Sequence, residues 1–133
     1  MIPRSRLACE RVREGADRRR RVLVVEDDSD IATLLSDILE TEGYAPVSVS
    51  DAAGLSEKLD PRPHLVVLDL RLNRGSPEQI LDSLRVHGMS NVPVLLLSAA
   101  NDLPERARAL GITSYLAKPF ELEELLGVVR SLI

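Results

Sequence analysis

The sequence predicts an α/β fold: a doubly wound, five-stranded parallel sheet in strand order 2-1-3-4-5, with five helices. Three observations carry this expectation. First, short apolar runs alternate with segments of helical periodicity five times between Val22 and Ile133. Such alternation builds one parallel sheet through right-handed crossovers. Second, the central run, Leu65-Val66-Val67-Leu68, is apolar at every position, as a strand covered on both faces must be. Third, the runs stop at polar groups. Val22–Val25 stops at Glu26, Asp27 and Asp28, Leu65–Leu68 at Asp69, Val94–Leu97 at Ser98, and Tyr115–Ala117 at Lys118 and Pro119. An uncompensated buried carboxylate costs several kcal/mol, so these groups belong at strand mouths. In open parallel sheets, ligands bind at the carboxyl ends, in the crevice where strand order reverses.

The elements follow in order. The first strand spans Val22–Glu26. Ser29 is the candidate N-cap of a helix striped by Ile31, Leu34, Leu35, Ile38 and Leu39 and stopped by Gly43. Tyr44–Val49 is a weaker second strand. Asp51 caps a short second helix through Leu59, which Asp60-Pro61-Arg62-Pro63 ends. After the central strand, His64–Leu70, Asn73-Arg74-Gly75 is a turn. Ser76 and Pro77 then read as N-cap and N1 of a third helix striped by Ile80, Leu81 and Leu84. The Val94–Leu97 strand, a loop over Ala99–Leu103 and a short helix over Pro104–Leu110 follow, the last closed by Gly111. Ser114–Ala117 is the fifth strand. Glu121 opens a final helix striped by Leu122, Leu125, Leu126, Val129 and Leu132.

Composition bounds the function. A chain of 133 residues, 44% hydrophobic and 29% charged, suits one globular domain with a modest, aliphatic core. The net charge of −4 conceals a division. Residues 1–21 hold eight Arg against Glu10, Glu14 and Asp17, and residues 22–133 hold nine basic against eighteen acidic side chains. The first segment reads as a basic, solvated, disordered tail; the sharper reading is an electrostatic arm for nucleic acid or another acidic partner. The acidic remainder is a poor direct ligand for nucleic acid. The one cysteine, Cys9, has no intrachain partner, which fits a reducing cytoplasm. No apolar run approaches the ~18 residues of a membrane span, and the basic start lacks the apolar core of a signal peptide.

The segments VLVVEDD, HLVVLDL, VLLLSAA and YLAKPF, in this order and spacing, resemble the receiver domain of two-component response regulators across almost all of residues 22–133. The resemblance implies a flavodoxin-like receiver fold with the same strand order. It implies that Asp69 is the phosphoacceptor, supplied by a histidine kinase or histidine phosphotransfer protein. It implies that Glu26, Asp27, Asp69 and the main-chain carbonyl of Arg71 hold Mg²⁺, directly or through water. Ser98 would contact the phosphoryl group. Lys118 would pair first with Asp69 and then with a phosphoryl oxygen. Tyr115 would be the aromatic switch that moves inward with Ser98, passing the change to the surface of the fourth helix, fifth strand and fifth helix. These residue types suit phosphoryl transfer, which is mostly positioning and charge neutralisation. An Asp nucleophile yields a labile acyl phosphate, and Mg²⁺ takes oxygen ligands and keeps waters. Such a protein assists its own phosphorylation and dephosphorylation without being a turnover enzyme.

Each residue also has a plainer reading. The acidic cluster after the first strand suits a helix N-terminus, which accounts for Asp28. Ser98 is a turn hydroxyl, Tyr115 half-buried packing, and Lys118-Pro119 a strand-ending turn with a candidate cis peptide. His64 and His87 read as surface residues. The sequence also departs from the family pattern. Many receivers carry Pro four residues and Gly eight residues after the phosphoacceptor; Asn73 and Pro77 stand there, with Gly75 keeping the turn. Arg71 places a long cation beside the site, Ala100 is small, and Ser98 replaces the commoner Thr. Gly111-Ile112-Thr113-Ser114 lacks the acidic residues of receivers that dimerise through the fourth helix, fifth strand and fifth helix. With no output domain after Ile133 expected, the chain reads as a stand-alone regulator or an excised receiver. Two other functions compete: an interaction module that no longer cycles phosphate, and a Mg²⁺-dependent phosphohydrolase, for which no general acid or base is evident. The downstream partner is not named by any residue.

Overall fold

The structure is a computed structural model and describes residues 18–72, 75–99 and 101–133. The expectations for Met1–Asp17 of the tail, and for Asn73, Arg74 and Ala100, lie outside the described residues. Strands β1 (Arg21–Val25), β2 (Ala45–Val49), β3 (Leu65–Asp69), β4 (Val94–Ser98) and β5 (Ser114–Ala117) form one sheet. Its order is β2-β1-β3-β4-β5 and every neighbouring pair is parallel, as the alternation predicts. β1 begins at Arg21, one residue before the expected boundary. Arg21 pairs with Ala45, and its amide donates to His64 Nδ1 at 3.0 Å. His64 is therefore an exposed residue that closes the start of a strand.

Among the described residues four α-helices form rather than five: α1 (Ser29–Thr41), α2 (Pro77–Val86), α3 (Leu103–Leu110) and α4 (Leu122–Leu132). The second expected helix is replaced by two 3-10 turns, Ala52–Gly54 and Ser56–Lys58. Asp51 does cap the first, its Oδ1 accepting from the Gly54 amide at 3.1 Å. Gly54 interrupts the stretch near its start and Asp60-Pro61 ends it, which leaves little room for a continuous α-helix. Tight 3-10 turns still bury Leu55 and Leu59. The expected fourth and fifth helices are accordingly α3 and α4.

Capping holds with one correction. α1 is capped by Asp28, not Ser29: Asp28 Oδ1 accepts from the Asp30 and Ile31 amides at 2.9 and 3.1 Å. A carboxylate satisfies these amides and also meets the positive end of the helix dipole. At α2, Ser76 and Gln79 form a reciprocal capping box, with Pro77 at the first turn. Gly111 closes α3 with φ +75°.

Strand alternation sorts the core into two layers. Leu23, Val25, Val66, Leu68 and Leu96 pack with Leu55, Leu59, Ile80, Leu84, Leu103 and Ala107. Val22, Val24, Leu65, Val67, Leu95 and Leu97 pack with Leu35 and Leu39 of α1 and Leu125 and Val129 of α4. Each fully buried Leu or Val contributes roughly 1.5–3 kcal/mol of transfer free energy. Leu34, expected in the apolar stripe of α1, is 59% exposed, because Leu35 and Leu39 already face the sheet.

Candidate functional site

The parallel register brings the carboxyl ends of β1, β3, β4 and β5 to one edge. Asp69 ends β3, one step beyond the Val25–Leu68 pair and opposite Leu97. It is only 5% exposed, yet both oxygens are held. Oδ2 accepts from Lys118 Nζ at 2.9 Å, and Oδ1 accepts from the Arg71 amide at 2.8 Å. An ammonium and an oriented main-chain donor are what a buried carboxylate requires.

Glu26 follows β1 and is 3% exposed. Its amide donates to the Val49 carbonyl at 3.0 Å, which locks the backbone beside β2. Its Oε2 accepts from the Asp28 amide at 3.2 Å, so the turn that starts α1 also orients this side chain. Its Oε1 is buried with no hydrogen-bond partner and lies 3.8 Å from Lys118 Nζ. Burial pushes the Glu26 carboxyl up to about 7, reinforced by the neighbouring Asp69 carboxylate and opposed by the Asp28 amide and Lys118. Two carboxylates from distant parts of the chain thus share one ammonium in a water-poor space. A buried carboxylate oxygen is left over without a donor.

Lys118 follows β5, and its amide extends the β4–β5 ladder to the Ser98 carbonyl at 2.9 Å. The Lys118-Pro119 peptide is cis. Ser98 ends β4 opposite Ala117 and is buried. Asp27 is half-buried in the turn between Glu26 and the Asp28 cap. Arg71 is exposed and supplies its amide to Asp69. Tyr115 lies on β5 opposite Leu96, 42% exposed. The structure therefore brings Glu26, Asp69, Lys118 and the Arg71 main chain into contact, sets Ser98 at the same edge, and leaves Tyr115 partly exposed. Among the described residues, no three His, Cys, Asp or Glu side chains group as a ready-made metal cage. The Arg71 amide escaped sequence reading because main-chain donors have no letter. The leftover Oε1 of Glu26 escaped it because only packing decides which oxygen finds a donor.

The family model described as the response regulator receiver domain matches residues 22–130. The chain is 34% identical over 118 residues to the phosphate regulon transcriptional regulatory protein PhoB of Escherichia coli, covering 86% of this chain and 52% of that protein. It is 35% identical over 116 residues to the transcriptional regulatory protein PrrA of Mycobacterium tuberculosis, covering 85% and 49%. The chain thus spans about half the length of these curated relatives. Among solved structures, it is similar to the receiver domain of NtrX from Brucella abortus, with TM-score 0.74, 28% identity, and coverage of 84% of this chain and 96% of that one. The chemotaxis protein CheY4 of Vibrio cholerae shares the fold, with TM-score 0.77 at 23% identity, covering 86% and 99%.

Proposed function

The chain belongs to the response regulator receiver domain family, and from that premise we propose that it is a signalling switch phosphorylated on Asp69 by a histidine kinase or a histidine phosphotransfer protein. One observation carries the reading: Asp69 is buried at a strand mouth, held by Lys118 and the Arg71 amide, in the same space as an unpartnered oxygen of Glu26.

The donor set fits Mg²⁺. The leftover Glu26 oxygen is a buried acceptor that a cation would satisfy. All the oxygens are hard ligands, and Mg²⁺ accepts few protein ligands plus water. Glu26, Asp27, Asp69 and the Arg71 carbonyl would hold it. When bound, the ion supplies charge neutralisation for the transferring phosphoryl oxygens.

The chain's own residues do the rest. An Asp69 oxygen attacks the phosphorus of the donor's phosphoimidazole. The new P–O bond forms as the P–N bond breaks, and its electron pair leaves with the imidazole nitrogen. Lys118 transfers its hydrogen bond from Asp69 to a phosphoryl oxygen, a charge-assisted contact. The Ser98 hydroxyl donates to another. The added charge of about −1.5 to −2 draws both groups toward it. Tyr115, exposed beforehand, follows Ser98 inward, which alters the face built by α3, β5 and α4. A coupling of about 1–3 kcal/mol between site and face is ordinary for such switches. The protein assists its own phosphorylation and dephosphorylation and turns over no free substrate. Its setting is the cytoplasm; among the described residues no helix is long and apolar enough to cross a membrane.

Incubation with acetyl phosphate and Mg²⁺, followed by intact mass, tests the reading. One phosphoryl adduct on the wild type and none on Asp69→Asn is expected. An unmodified wild type would favour the second reading, an interaction module that does not cycle phosphate, for which the departures at Asn73 and Pro77 speak.

A further inference from the structure

We infer that Gly75 is a positioning residue: it seats the loop after Asp69 against the first 3-10 turn, and so holds the Arg71 main chain in place for Mg²⁺. The inference rests on the reading above and deepens it.

Gly75 has φ +79°. A Cβ built there would lie 2.9 Å from Ala52 Cβ and 2.9 Å from Gln79 Oε1, closer than real carbon contacts allow. Neither neighbour can easily withdraw. Gln79 Oε1 accepts from the Ser76 amide at 3.0 Å, half of the capping box that starts α2. Ala52 begins a turn pinned by the bond from the Gly54 amide to Asp51 Oδ1, and it packs on the core. At its other end the loop starts from the Arg71 amide on Asp69 and from Leu72, which also packs on the core. The described residues at both ends of the loop are therefore fixed, Arg71 and Leu72 at the Asp69 carboxyl and the core, and Gly75 against the Ala52 turn.

Three other glycines separate contact from conformation. Gly43, Gly88 and Gly111 also have positive φ, yet a Cβ at each would meet nothing within 4 Å. Substituting any of them strains only the local backbone. Substituting Gly75 must also push the loop off the turn. The two positions where many receivers carry Pro and Gly hold Asn73 and Pro77, and Gly75 lies between them.

Isothermal calorimetry of MgCl₂ binding to the full chain tests this, alongside thermal melts. Gly75→Ala and Gly88→Ala are both expected to lower Tm. Only Gly75→Ala is expected to raise the Mg²⁺ Kd, by about tenfold, as loss of support behind a metal ligand typically does. Adding Ala52→Gly to Gly75→Ala removes the opposing Cβ and should recover part of that loss. Should Gly75→Ala fail to fold, Gly75→Asn tolerates positive φ and keeps the offending Cβ. A Mg²⁺ Kd unchanged in the Gly75 variants, or no recovery on adding Ala52→Gly, overturns the inference alone. A wild type that binds no Mg²⁺ overturns the underlying reading as well.

Discussion

Glu26 shows how one residue ties stability to function. An unfolded Glu titrates near 4.5, whereas the folded carboxyl holds its proton to about 7. Between those values the folded state binds more protons than the unfolded one, so stability falls as pH rises through that window. The contribution is full below about 4.5 and lost above about 7, on the order of a few kcal/mol. In the Mg²⁺-free protein, Glu26→Gln should remove this dependence and be the more stable form at pH 8. Urea denaturation from pH 5 to 8 reads it, and a constant difference between wild type and variant would refute the assignment. Lys118→Ala leaves two buried carboxylates without their cation and should cost about 3–5 kcal/mol at pH 8, as breaking a buried pair does. The same change removes a competing charge, so Mg²⁺ should bind more tightly; weaker binding would argue that Lys118 and the ion do not share the space.

At the scale of elements, the caps and the 3-10 turns decide how the strand ends are presented. Asp28 serves α1 through its side chain and Glu26 through its amide. Asp28→Ala is expected to cost about 1 kcal/mol through the lost cap. Because the amide remains, Mg²⁺ affinity should be nearly unchanged, and a calorimetric titration checks that separation. Strand ends were legible from residues because a carboxylate or ammonium that follows a fully apolar run has only the sheet edge to occupy. The second helix was misread for a physical reason. Asp51, Leu55 and Leu59 satisfy helical spacing, but spacing does not report the cost of nucleating so short a segment around Gly54. The cap of α1 was misplaced by one residue because Asp28 and Ser29 are both good caps, and only the bond geometry tells them apart.

For the whole molecule, the proposed switch couples charge at one sheet edge to a face beyond it. Millimolar Mg²⁺ should raise the melting temperature by binding the folded state alone; a melt indifferent to Mg²⁺ would count against the crevice. Tyr115→Ala should leave phosphorylation of Asp69 intact while abolishing the change in hydrogen exchange over α3 and β5 that follows it. An unaltered exchange response in that variant would remove Tyr115 from the route. The asymmetry of charge belongs to this scale too. The acidic edge gathers Glu26, Asp27, Asp28 and Asp69, whereas Arg19, at the opposite end of β1, lies 3.8 Å from Glu40 and donates to the Tyr44 carbonyl at 3.2 Å.

The sequence by itself determined the parallel sheet and the edge on which the polar groups gather, because runs apolar on both faces admit only a covered central position and crossovers have one hand, and the strand order rested in part on the family resemblance. Tertiary structure alone decided which oxygen of Glu26 is left without a donor, how high that carboxyl's proton affinity climbs, and where the loop after Asp69 touches the rest of the molecule. Those depend on distances of a few tenths of an ångström between segments remote in the chain, and no periodicity of residues encodes them.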